Sequence, residues 1–304
     1  SAPTNLTFGT KTVSSIQMSW TDNSNHEDRF EIYCSFTSGG PYIKVGSTGE
    51  GVTTFTHTGL TDDTEYFYRV YAGNDGGLST PVSGSATTLP YPPSAPTNLT
   101  FGTITISSIQ MSWTDNSNNE DGFEIHRSLA SGGPYTKVGT TGEGVTTFID
   151  DELTDDTEYF YRVYAYNDGG LSTPVSGSAT TLLAPPDAPG NLAGTATNTC
   201  SVELKWKDNS DNEDGFEIER SLLPASDFSL LQTVSSDIQS YIDTVTVNDT
   251  YYYYRIRAFN DGGFSDYTPV ATVHVNIVLD GGTIGYNQTI CPEGDAELIQ
   301  NVVS

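Results

Sequence analysis

The sequence predicts an all-β chain: three tandem seven-stranded β-sandwiches in an elongated array, then a short C-terminal segment opening a further β domain. Three observations carry that reading: a repeat of 93 residues, strand-like alternation of apolar and polar residues, and proline clusters at the joints. Trp20, Trp113 and Trp206 stand 93 residues apart. Ser1–Thr10 recurs letter for letter at Ser94–Thr103, and Thr61–Val70 recurs as Thr154–Val163. A looser third copy, Asn248–Ile256, keeps the same register.

The repeats are expected at residues 1–90, 91–183 and 184–277, with 278–304 as the start of another domain or an extended tail. Leu89-Pro-Tyr-Pro-Pro-Ser-Ala-Pro96 and Ala184-Pro-Pro-Asp-Ala-Pro189 mark the joints. Proline fixes φ and favours extended segments, so these stretches read as short, stiff spacers. Inside the second repeat, Ile109, Met111 and Trp113 fall on one face of a strand, and Asp115–Gly122 ends it with turn formers. Phe123-Glu-Ile125 starts the next strand. Tyr159, Tyr161, Val163 and Ala165 alternate along a long strand that closes at Asn167-Asp-Gly-Gly170, a hairpin signal. No stretch has helical periodicity.

Composition excludes several functions. Lys and Arg number 12 against 39 Asp and Glu, a net charge of −27, so nucleic-acid phosphate would be repelled. No apolar run reaches the roughly 18 residues that suggest a membrane span. The chain opens Ser1-Ala-Pro without an apolar leader, so a signal peptide is expected to have been removed or to lie upstream.

Taken together, the strand Trp, the spacings Leu60-x5-Tyr66 and Leu153-x5-Tyr159, and Tyr-x-Tyr-Arg-Val-x-Ala followed by Asn and Gly-x-Ser resemble a fibronectin type III domain. The resemblance covers about residues 1–277. It implies an Ig-like sandwich with a tyrosine corner. The third copy has Thr246 at the corner Leu position, so Val245 or Val247 is expected to supply the packing. The motif Trp-x-Asp-Asn-Ser-x-Asn/His-Glu-Asp-x-Phe-Glu-Ile is similar to the variant found in large bacterial secreted proteins. Leu279–Gly294 resembles the opening of Ig-like repeats in giant bacterial surface proteins.

The sequence offers little for catalysis. Cys34, Cys200 and Cys291 lack metal-site spacing, and Cys34 stands where the other copies have Arg127 and Arg220. They read as free thiols, with a Cys200–Cys291 bridge, or a partner for Cys291 beyond residue 304, as alternatives. His26, His57, His126 and His274 have no nucleophile motif beside them. Asp62-Asp63 and Asp155-Asp156 read as turn residues, because glycoside hydrolysis by paired acids needs a cleft between them. No catalytic residue and no certain cofactor is expected, and the chain reads as non-enzymatic.

The acidic loop is the one constellation with metal-binding chemistry. The type III topology implies that the second-to-third-strand loop and the hairpin loop share one end of each sandwich. That end collects Asp22, Asn23, Asn25, Glu27, Asp28, Asn74 and Asp75. Its counterparts are Asp115, Asn116, Asn118, Glu120, Asp121, Asn167 and Asp168, then Asp208, Asn209, Asp211, Glu213, Asp214, Asn260 and Asp261. Six to eight oxygen ligands suit calcium, whereas capping of their own turns by Asp and Asn needs no metal. A second feature is an outward stripe of Phe67, Tyr71, Phe160, Tyr164 and Tyr253, read either as contact aromatics or as rings covered by long neighbours.

Two functions compete. One is an extracellular or cell-surface structural and adhesion array, extending other domains or packing into fibres. The other is a spacer or weak carbohydrate-binding accessory region of a secreted polysaccharide-degrading enzyme. Expected partners are other protein domains, copies of the chain, or surface glycans, with neither nucleic acid nor membrane insertion. The full-length reading frame would discriminate between them.

Overall fold

The computed structural model describes residues 1–197, 201–244, 247 and 249–276, and these are all strands, turns and loops with no helix among them. The first block comprises β1 (Thr4–Lys11), β2 (Ser15–Thr21), β3 (Arg29–Ser35), β4 (Ile43–Gly49), β5 (Thr54–Thr58), β6 (Glu65–Asn74), β7 (Gly77–Leu78) and β8 (Val82–Thr87). Strands β1, β2 and β5 form one antiparallel sheet in the order β1-β2-β5. The other sheet runs β4-β3-β6, with β7 and β8 both paired to β6. The expected seventh strand is therefore present but broken in two.

The same order recurs twice. The second block has β9 (Thr97–Ile104), β10 (Ile109–Thr114), β11 (Gly122–Ser128), β12 (Thr136–Gly142), β13 (Thr147–Asp150), β14 (Glu158–Asn167), β15 (Gly170–Leu171) and β16 (Val175–Thr180). The third has β17 (Gly190–Thr197), β18 (Ser201–Lys207), β19 (Gly215–Ser221), β20 (Ser229–Ser235), β21 (Ser240–Asp243), β22 (Thr250–Asn260), β23 (Gly263–Phe264) and β24 (Ala271–Val275). Two compact units contain these blocks: Ser1–Leu153 with Thr157–Thr181, and a second unit that, apart from Thr154–Asp156, begins at Leu182.

Each core forms where the inward faces of the two sheets meet. In the first, Ile16, Met18 and Trp20 of β2 pack against Phe30 and Ile32 of β3 and Tyr66, Tyr68, Val70 and Ala72 of β6. Alternate residues point to opposite faces of a strand, so the period-2 pattern places all of them inside. The second core repeats this with Ile109, Met111, Trp113, Phe123, Ile125, Tyr161 and Val163. Trp113 meets Phe123 edge to face, the centroids 5.4 Å apart, and Trp20–Phe30 and Trp206–Phe216 do the same at 5.4 and 5.7 Å.

The tyrosine corner is formed as the resemblance implies. The Thr61 N–H donates to Tyr66 Oη at 2.8 Å, and the Val247 N–H donates to Tyr252 Oη. Val247 is itself half exposed and does not fill the missing Leu position, while Val245 and Thr246 lie outside the described residues. Cys200, Cys291 and the segment expected to open a further domain also lie outside them.

Trp113→Ala removes the ring that both sheets close on and should cost about 3–5 kcal/mol. Hydrogen exchange should show lost protection at Ile125 and Val163 while Ile32 and Ile218 keep theirs. Unchanged exchange at Ile125 would show that the indole does not hold this core.

Candidate functional site

The acidic loop is built first of all as a set of turns. Asp22, Asp115 and Asp208 each accept the backbone N–H two residues on, from Ser24, Ser117 and Ser210, at 2.9, 2.9 and 3.1 Å. Side-chain amides tie the loop to the segment leading into the first strand of its repeat: Asn23 donates to the Ala2 carbonyl, Asn116 to that of Ala95 and Asn209 to that of Ala188. Asp28, Asp121 and Asp214 are exposed, their backbone N–H groups bonded to Gly73, Tyr166 and Phe259. Turn capping thus accounts for much of the expected set.

One acid in each loop is different. Glu27, Glu120 and Glu213 are at least nine-tenths buried, and in each the Oε2 atom is sealed from solvent without a hydrogen-bond partner. The Glu27 carboxyl is held below the ordinary carboxylate range, first by its own backbone N–H, against burial, and further by Ser24 and the Gly51 N–H. Glu213 Oε1 likewise accepts the N–H of Asp237, at 3.4 Å. The buried glutamate therefore joins the loop to the turn after β4 or β20.

In the third repeat that turn carries a carboxylate. Asp208, Glu213 and Asp237 offer oxygens that all lie within 4.8 Å of one another. The Asp208 carboxyl is raised above its usual range, first by burial and then by the Glu213 and Asp237 charges, against the Ser210 N–H. The other repeats have Gly51 and Gly144 at the Asp237 position. Sequence reading missed Asp237; a column-by-column comparison of the copies contains the signal.

The hairpin-loop asparagines, expected as ligands, are occupied elsewhere. Asn74, Asn167 and Asn260 each accept the N–H of a glycine two residues on, Gly76, Gly169 and Gly262. Their amides hold the neighbouring loop and, in two repeats, the incoming linker. Asn167 Nδ2 donates to the carbonyls of Asn119 and Tyr91, and Asn119 Nδ2 also donates to Tyr91. In the second unit Asn260 and Asn212 hold the Ala184 carbonyl in the same way. The linker lies so close that a Cβ on Gly169 would come within 2.0 Å of the Pro90 carbonyl oxygen; on Gly262 it would be 2.4 Å from that of Leu183. This linker seat was not legible as a site.

The profile of the fibronectin type III domain matches residues 1–88 and 94–181. The chain belongs to the fibronectin type III family. Exoglucanase B of Cellulomonas fimi is 28% identical to it over 317 residues, 94% of this chain and 26% of that protein. Chitinase A1 of Niallia circulans is 30% identical over 197 residues, covering 60% of this chain and 26% of the relative. Tenascin-R of Gallus gallus is 29% identical over 215 residues, 69% of this chain and 15% of the relative. The chain thus spans about a quarter or less of these relatives' length.

The outward aromatics of the type III repeats are half-buried. Tyr71 meets Tyr33 edge to face at 5.3 Å, and Tyr164 meets His126 at 5.0 Å. Phe67 and Phe160 lie opposite Ser35 and Ser128 on the next strand, and Tyr253 lies opposite Ser221. The third repeat covers this face with Arg255–Glu219 and Arg257–Glu217 pairs at 2.6 and 2.7 Å, their guanidinium groups stacked on Tyr267 and Phe264.

The free thiol of Cys34 belongs to a substitution of two positions. In the second repeat Arg127 pairs with buried Asp150, which also accepts the Tyr161 hydroxyl at 2.8 Å. Arg220, Asp243 and Tyr254 repeat that network. The first repeat has Cys34 and His57 instead, with His57 Nδ1 3.0 Å from the Tyr68 hydroxyl. Burial pushes the Cys34 thiol up and the His57 imidazole down. Buried Cys34 and half-buried His57 thus replace a buried aspartate and its half-buried arginine.

The sign of the pH effect follows. His57 titrates lower when folded than the roughly 6.5 of an unfolded chain, so its stabilising contribution is complete above that pH and is lost as pH falls through the folded value. Urea unfolding between pH 7.5 and 5.5 should show the first repeat weakening. Cys34→Arg with His57→Asp should abolish that loss over the same pH range. An identical acid response in both proteins would exclude His57 as its source.

Proposed function

We propose that this chain is a non-catalytic spacer within a larger extracellular protein that acts on or binds polysaccharide. Its type III repeats set the separation of other domains. The linker seat carries the reading. Within the first unit the Leu89 carbonyl accepts the Asp63 N–H, and the next linker carbonyl but one, of Tyr91, is held by Asn119 and Asn167. Bonds to the repeats on both sides stiffen a joint that proline already restricts. Stiffness at the joint is what a spacer needs.

The relatives supply the setting, since exoglucanase B aligns with almost the whole chain and chitinase A1 with more than half of it. A surface-adhesion array uses the same spacer but adds a ligand surface. The aromatic stripe that would provide one is partly covered by neighbouring rings and guanidinium groups.

Small-angle scattering of the chain should give a radius of gyration well above the roughly 19 Å of a single 304-residue globule. Gly169→Ala, or Asn119→Ala with Asn167→Ala, should loosen the joint and broaden the distribution of distances between the first two repeats. Gly76→Ala should not, because a Cβ there meets only the Asn74 side chain, at 3.1 Å. A compact particle, or a joint indifferent to Gly169→Ala, would overturn the spacer reading.

A further inference from the structure

We propose that the third repeat binds one calcium ion between the loop that follows β18 and the turn that follows β20, through Asp208, Glu213 and Asp237. The spacer role neither requires nor supplies this site. Three carboxylates with mutual oxygen separations within 4.8 Å repel one another unless a cation joins them. No ion pair among the described residues involves any of the three. The second observation is Glu213: its side chain is nine-tenths buried, yet Oε2 has neither a hydrogen-bond donor nor solvent, as in Glu27 and Glu120, and among the described residues only here do two further carboxylates lie within reach. A buried carboxylate oxygen left unpaired costs free energy that a bound cation removes.

The donor set selects the ion. All three side chains offer hard oxygen ligands, with neither imidazole nor thiolate, which suits calcium or magnesium rather than zinc. Exposed Asp237 leaves the outer side open to water, so an irregular shell completed by water is available, and calcium accepts such a shell more readily than octahedral magnesium. The site belongs to the third repeat because Gly51 and Gly144 supply no oxygen from a side chain. Binding orders the loop that holds the linker: Ser210 donates to Asn212, whose amide holds the Ala184 carbonyl.

The backbone provides a clean test. Asp237 has φ 63°, in the left-handed region, and Gly51 and Gly144 adopt 67° and 65° there, so Asp237→Gly preserves the fold. Calorimetric titration of the full chain with calcium chloride should find one site. Asp237→Gly should weaken it by at least the roughly 10–100-fold that loss of an outer-shell partner costs, and Glu213→Gln should do the same. Gly144→Asp should create a second site with Asp115 and Glu120. Calcium should raise the melting temperature of the third repeat more than magnesium does at equal ionic strength. No binding at millimolar calcium, binding unchanged by Asp237→Gly, or equal responses to both ions would each overturn the proposal.

Discussion

Everything in this chain depends on closing two small sheets over one row of large side chains. A domain of this size buries little apolar surface, so few residues carry its stability. In each repeat the central row has one pattern: a Trp on the second strand, a Phe on the third, and Tyr followed by Val or, in the third repeat, Ile on the sixth. Fully burying one such side chain is worth about 1.5–3 kcal/mol. Because these residues alternate with polar ones, the opposite faces vary freely. The outer face changes from Tyr33–Tyr71 in the first repeat to Arg255–Glu219 and Arg257–Glu217 in the third without disturbing the sandwich.

Beneath that row each core fully buries a tyrosine, Tyr68, Tyr161 or Tyr254, with its hydroxyl. Burial drives all three hydroxyls strongly upward in pKa, so each stays a neutral phenol that needs a partner. Two repeats supply an aspartate, itself neutralised by an arginine, and the first supplies His57. Replacing Asp alone would strand the arginine, and replacing Arg alone would leave an unpaired buried carboxylate. The two positions therefore differ together, which explains why a cysteine occupies an otherwise arginine position.

The loops at one end of each sandwich combine two tasks. Asx turns and buried glutamates fix the loop, and the amides left over hold the linker. Those bonds are made by neutral side chains and backbone, so a chain with net charge −27 can build its joints without bringing further charge together. The exception is the third repeat, where Asp237 adds a third carboxylate to Asp208 and Glu213.

Strands and core were legible in the sequence because they rest on local periodicity, whereas the corner and the loop arrangement followed from the fibronectin type III resemblance. Alternation assigns Ile109, Met111 and Trp113 to the interior before any partner is known, and repeat spacing carries the assignment to all three copies. The acidic loop was legible only as a composition. Sequence counted the asparagines as oxygen donors, whereas the fold uses their amides as hydrogen-bond donors toward Tyr91 and Ala184. Asp237 lies 24 residues from Glu213 and belongs to another loop. Only the meeting of two sheets brings those loops together. Sequence determines which residues turn inward, because that follows from the chain's own geometry. Which polar groups meet at the ends is set by distances across the sandwich, and those exist only once it has closed.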